Sequence, residues 1–172
     1  MLAANGVASD PAPLEAALRA DDEVLRAAAA RILGADRVGS AAPALEALAM
    51  GTGDIDRAEA GYALIRLGLR DAGAAALLAM LHLPVQAFLG ASIAAGALAR
   101  AGDASGWGTI ERALASSDAR VRRVAARQVV HLTALDPDRA APLVHRSIGD
   151  ADAEVVREAV LARLAFAASP DG

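Results

Sequence analysis

At 172 residues the chain is long enough for one domain, or one short repeat array, with a sizeable buried interior. Hydrophobic residues reach 55% but aromatics only 2%, so alanine and leucine carry the apolar content, which favours stacked helices over a sheet. The net charge of −4, from 17 basic and 21 acidic residues, argues against a general nucleic-acid binder, and the absence of cysteine rules out disulfides and cysteine-based zinc sites while fitting a reducing, cytoplasmic setting.

Met1 to Asp10 lacks the positive start and apolar stretch of a signal peptide and reads as a flexible leader over 1–10. From Pro11 onward, shorter amphipathic helices alternate with longer ones. The shorter ones are carried by Leu14–Leu18, Leu45–Leu48, Leu77–Leu81, Ile110–Leu114 and Leu143–Ile148, where apolar residues three or four apart make one adhesive face. The longer ones open on Asp22-Glu23-Val24-Leu25-Arg26, Asp54-Ile55-Asp56-Arg57, Asp118-Ala119-Arg120-Val121-Arg122-Arg123 and Asp152-Ala153-Glu154-Val155-Val156-Arg157. Each holds an Asp suited to cap a helix, then an aliphatic residue, then an Arg two positions later. The aliphatic positions 24, 55, 88, 121 and 155 are spaced by 31, 33, 33 and 34. The third copy departs: Pro84 replaces the cap, Phe88 takes the aliphatic slot, and Gly90 stands where Arg is expected. Proline still suits a first helical turn.

Gly34, Gly68 and Gly102 lie 34 residues apart, and further steps of 34 reach Asp136 and Pro170, so a long helix is expected to end at each of these points. The uncharged stretch from Ala72 to Ala99 is long enough to span a bilayer. It is mostly alanine and glycine, is interrupted by His82, Pro84 and Gln86, and falls into register with the repeat; it reads as a central repeat, with no membrane role.

The pattern Asp-x-x-Val-Arg-x-x-Ala, with Leu-Gly or Ala-Gly closing second helices, resembles the bacterial HEAT-like repeats first noted in phycobilin lyases. The likeness extends over about five copies and most of the chain. It implies an all-α, right-handed α-solenoid of about five HEAT-like helical hairpins. The array would be a single one over 11–168, with repeats at about 11–35, 41–69, 72–102, 106–136 and 138–168 and a tail at 169–172. It further implies that second helices line a concave surface. The recurrent Arg26, Arg57, Arg123 and Arg157, with Asp22, Asp54, Asp118 and Asp152, would form a structural ladder between repeats. Tetratricopeptide repeats share the 34-residue period but need large aromatics in each copy, and this chain has only Trp107, Tyr62, Phe88 and Phe166.

Two surfaces stand out as partner-binding candidates. Between Glu111 and Arg127 five arginines face two acids, a local charge of +3 that leaves the rest of the chain at −7. Arg120, Arg123, Arg127 and His131 fall within a sector of roughly 80° on one helix, either a docking stripe for an acidic partner or a solvated face. The second surface is apolar: the helix from Val85 to Ala99 is hydrophobic almost all round. It offers Phe88, Leu89, Ile93 and Leu98 as a patch or as core. The last helix, with Val155, Val156, Val160, Leu161, Leu164 and Phe166, lacks the polar outer face of a terminal cap, which fits a homo-oligomer or a longer neighbour.

Catalytic signals are weak. His82, His131 and His145 lie on different repeats without paired-ligand spacing, and the His-Glu pairs of iron-binding HEAT-like hydroxylases are missing. No phosphate loop with lysine and no Gly-x-Ser-x-Gly turn occurs, and the pairs Asp21/Asp22 and Asp150/Asp152 sit in turns where capping explains them. The sequence therefore reads as a non-catalytic scaffold or adaptor, without cofactor or metal, that holds a partner protein or peptide. The alternatives are a bilin or tetrapyrrole lyase-like or chaperone subunit, which the family resemblance brings in, and a HEAT-like glycosylase type of nucleic-acid enzyme. Scarce aromatics weigh against both, and the acidic balance against the second.

Overall fold

The computed structural model describes residues 10–82 and 88–167, and among them lie ten α-helices and no strand. They pair along the chain: α1 (Ala12–Ala17) with α2 (Glu23–Ala35), α3 (Ala42–Ala49) with α4 (Ile55–Arg66), and α5 (Arg70–Leu81) with α6 (Phe88–Arg100). Two more pairs follow, α7 (Trp107–Leu114) with α8 (Ala119–Thr133) and α9 (Pro137–Ile148) with α10 (Ala153–Ala167). The second helices stack in chain order, α2 on α4, α4 on α6, α6 on α8 and α8 on α10; the first helices meet more sparingly, α3 on α5 and α7 on α9. The molecule is an all-α solenoid, and no helix among the described residues is long and apolar enough to cross a membrane.

The leader expected over 1–10 lies, except for Asp10, outside the described residues, as do Pro84, the tail at 169–172 and the side chains of Phe88 and Phe166.

Each hairpin buries its apolar stripe against the next, because a single pair has nowhere else to put it. Leu33, Leu45 and Leu64 anchor the first two repeats, Leu77, Met80 and Leu98 the middle, and Trp107, Ile110, Val129, Leu132 and Val155 the last two. Between these large side chains the core is mostly alanine, which lets neighbouring helices approach closely.

Helix starts follow the aspartates with one exception. The Asp22 side chain accepts from the backbone N–H groups of Val24 (2.8 Å) and Leu25 (3.3 Å), Asp118 from Arg120 (2.8 Å), and Asp152 from Glu154 (3.0 Å) and Val155 (3.2 Å). Asp54 makes no such cap. Instead Glu23, on the preceding second helix, accepts from Asp54 N–H (2.7 Å) and Ile55 N–H (2.8 Å), so α4 is capped by its neighbour. Burial first, and then the nearby Glu23 and Asp56 charges, push the Asp54 carboxyl above its ordinary range.

Helix ends need a correction at one of the expected stops. Gly68 and Gly102 do close α4 and α6 with left-handed backbone, φ +90° and +82°. Their loops carry matching bonds, Leu69 N–H to Leu64 C=O and Asp103 N–H to Leu98 C=O, both 2.9 Å. Gly34, however, is buried inside α2, packed so closely on Ala63 that a side chain would not fit. The left-handed residue there is Arg37 (φ 54°), with the same bond from Val38 N–H to Leu33 C=O at 3.0 Å. Asp136 stands just past the end of α8, its N–H donating to the Leu132 carbonyl at 3.0 Å, and its side chain also caps the start of α9 through Arg139 N–H at 3.0 Å.

The ladder exists, but with different rungs. Arg26 Nε donates to Asp56 at 2.6 Å, and its Nη1 ties down the Ala20 and Asp21 carbonyls at 2.7 and 2.9 Å. Arg122 repeats this with Asp150 (2.8 and 3.0 Å) and the Ser116 and Ser117 carbonyls (2.9 and 3.1 Å). Each arginine sits four residues after its Asp cap, so the counterpart of Arg26 is Arg122 and not Arg123. Arg57 binds its own loop at the Ala49 carbonyl (3.0 Å), and Arg157 pairs with Glu154 on its own helix (2.8 Å). The carboxylates of the rungs are Asp56 and Asp150; Asp22, Asp118 and Asp152 serve as caps.

Candidate functional site: a cationic groove on the second-helix layer

One face of every second helix has no further layer over it, and at the centre of that face lies a cavity of about 470 Å³. Its walls come from four successive second helices: Arg31 from α2, Ile55 and Glu59 from α4, Ile93 and Arg100 from α6, and Arg123, Val124, Arg127, Gln128 and His131 from α8. Four arginines against one acid give the groove positive charge in a chain whose net charge is −4.

The close approach of α6 and α8 builds its floor. Gln128 is buried with its amide against Gly96, where any side chain would collide with it. That contact sets Arg100 and His131 beside each other at the end of the groove. His131 is held neutral, its imidazole pushed down to about 4 by burial and then by the Arg100 charge. The Arg100 guanidinium lies over the Tyr62 ring, 4.0 Å from its centroid. Its Nη2 is 3.9 Å from Glu59 Oε2, near enough for attraction but beyond a hydrogen bond.

Four enclosed side-chain polar atoms among the described residues have no hydrogen-bond partner: Glu59 Oε2, Arg100 Nε, Arg123 Nε and Ser92 Oγ. Three of the four belong to groove residues. Enclosed polar groups are normally satisfied, so their concentration at one place calls for an explanation.

Of the six residues picked from sequence, three line the groove: Arg123, Arg127 and His131. Arg127 is already engaged, its Nε and Nη2 bridging both oxygens of Glu158 on α10 at 2.9 and 2.8 Å. That hydrogen bonding keeps the Glu158 carboxyl below its ordinary range in spite of burial. Arg123 has only a loose approach to Glu154, at 4.0 Å. Arg120 stands away from the groove, 81% exposed and folded back on its own helix cap Asp118 at 2.9 Å. Leu89 packs against the core of the last two repeats, and the Phe88 side chain lies outside the described residues. Ile93 lines the groove, while Leu98 is wholly buried.

Sequence reading missed Arg31, Glu59 and Arg100. A signal for the first was present: one 96-residue offset relates Asp22 to Asp118, Arg26 to Arg122 and Arg31 to Arg127. Arg100 lies outside that alignment, which relates the first repeat to the fourth.

No protein-family model matches the chain, and no curated protein matches it. Solved structures do. One is a chain from the complex of CpcE and CpcF of phycocyanin lyase from Nostoc sp. PCC7120, at 23% identity and TM-score 0.54 over 99% of this chain and 70% of that one. Another is an engineered protein at 18% identity and TM-score 0.50, over 91% of this chain and 80% of that one. A second engineered protein aligns at 23% identity and TM-score 0.49, over 93% and 80%. At such identities the likeness speaks for architecture: the chain has the HEAT-like helical-repeat fold that the phycocyanin lyase complex also uses.

Proposed function

We propose that this protein is a non-catalytic binding module that takes an acidic segment of a partner protein into the groove on its second-helix layer. The observation that carries the reading is the set of four arginines around one cavity, of which Arg123, half-exposed, comes only within 4.0 Å of Glu154 and Arg100 only within 3.9 Å of Glu59. Guanidinium groups with spare donors suit carboxylates, which accept two such bonds at once. The groove offers little for chemistry: among the described residues no serine, threonine or cysteine lines it, its acid lies against Arg100, and burial and the Arg100 charge push its imidazole down to about 4.

The test is fluorescence anisotropy with fluorescein-labelled hexaglutamate. Wild type is expected to bind it, and Arg100→Gln/Arg123→Gln to lose about tenfold or more in affinity, since a hydrogen bond to a charged group contributes about 1.5–3 kcal/mol. Arg120→Gln should stay within about twofold of wild type, because surface ion pairs contribute little. Absence of wild-type binding, or equal binding by the double variant, would overturn the reading.

A second reading, a tetrapyrrole-handling subunit, draws support from the likeness to the phycocyanin lyase complex and from a cavity in the size range of small-molecule sites. It predicts a shifted visible absorption band when biliverdin is added to wild type, with no shift for Arg100→Gln/Arg123→Gln. An unchanged spectrum with wild type removes it.

A further inference from the structure

Resting on that reading, we infer that the groove selects a carboxylate flanked by a large aliphatic side chain, an acidic–aliphatic peptide segment, over a ligand of pure negative charge. Its charged wall is interrupted by aliphatic surface: Ile55, Ile93 and Val124 lie among the arginines, and all three are only partly covered. Ile55 is the most open of them, 38% exposed at the start of α4. A ligand that fills the groove must therefore cover apolar surface as well as meet charge.

Glu59 points the same way. A site built to hold a polyanion gains nothing from a carboxylate in its wall, and Glu59 subtracts one charge next to Arg100. With Arg127 held by Glu158 and Arg100 shared with Glu59, the arginines least engaged by acids among the described residues are Arg31, which makes no ion pair, and Arg123, with its loose approach to Glu154. The groove has donors for one or two carboxylates and apolar wall for what lies between them.

The experiment compares two fluorescein-labelled peptides, hexaglutamate and (Glu-Leu)₃, by anisotropy at physiological salt. The second carries half the negative charge, so a groove that reads charge alone binds it more weakly. The expected result is about tenfold tighter binding of (Glu-Leu)₃, the scale of one leucine side chain removed from water. Ile93→Ser and Val124→Ser, each checked by circular dichroism, should shrink that preference to about twofold or less. Either variant keeps the test usable if the other fails to fold. Tighter binding of hexaglutamate, or a leucine preference that survives both substitutions, would overturn the inference. If hexaglutamate still binds in an Arg100- and Arg123-dependent way, the inference falls alone; if neither peptide binds, the proposed function falls with it.

Discussion

Arg26 and Arg122 occupy the same position after their helix caps, and each reaches a carboxylate of the next repeat while fastening the two loop carbonyls behind it. Arg100, at the junction of α4 and α6, does neither: its acid stays at 3.9 Å and its Nε is unpartnered. The α2–α4 and α8–α10 junctions are thus joined by satisfied polar rungs, whereas at the α4–α6 junction the polar groups lie near each other but are not bonded. The repeat with Pro84 in place of the Asp cap is among those that line the groove. Stability and recognition rest on different arginines, even where Arg122 and Arg123 share one helix.

The largest effect that would probe this contrast is removal of a satisfied rung. Asp56 is 2% exposed, so Asp56→Ala strands the Arg26 charge and should destabilise the fold by about 3 kcal/mol in urea unfolding. A loss below about 1 kcal/mol would show that the rungs are ornamental.

His131 gives the next effect, through pH. Its folded-state value of about 4 lies below the 6.5 of a free imidazole, so the folded protein resists protonation that the unfolded chain accepts. The stability linked to His131 is complete above pH 6.5, falls as pH drops toward 4, and is level below that. Allowing for screening at a partly exposed site, the fall is on the order of 2 kcal/mol. His131→Gln should flatten the curve over that interval when thermal unfolding is followed at several pH values. A wild-type curve without the dip would place the imidazole in contact with water.

Arg37 offers a gain. It takes the left-handed conformation that Gly68 and Gly102 take at equivalent loops, so Arg37→Gly should stabilise by about 1 kcal/mol, or about 2–4 °C in melting temperature. No gain would mean that its side chain contributes as much as the strain removes.

The smallest effect is expected at the groove arginine Arg123. Arg123→Gln should change stability by less than about 0.5 kcal/mol, since its Nε has no partner to lose. A loss comparable to that of Asp56→Ala would erase the distinction between rung arginines and groove arginines.

Much of the fold was legible because helix capping and apolar spacing are local signals. Asp22, Asp118 and Asp152 behave as their position implies. Two misreadings have different causes. Alignment on the aliphatic residue, in place of the capping Asp, shifted the first repeat by one position and paired Arg26 with Arg123. A fixed 34-residue step then put the first stop at Gly34, although the interval between the left-handed residues Arg37 and Gly68 is 31. The groove was half legible: Arg123, Arg127 and His131 share one helix face, which periodicity reveals. Arg31, Glu59 and Arg100 join them only through stacking of separate helices, and no spacing rule within one helix encodes that.

The central claim is that Arg100 and Arg123 hold their donors for a ligand while Arg26 and Arg122 are committed to structure. The most direct measurement is a two-dimensional NMR spectrum of the arginine Nε–H groups, assigned by single Arg→Gln variants, with and without (Glu-Leu)₃. The account predicts that the Arg100 and Arg123 signals move on peptide addition while those of Arg26 and Arg122, already bonded to Asp56 and Asp150, stay in place. Movement of the Arg26 and Arg122 signals, with Arg100 and Arg123 unchanged, would contradict it.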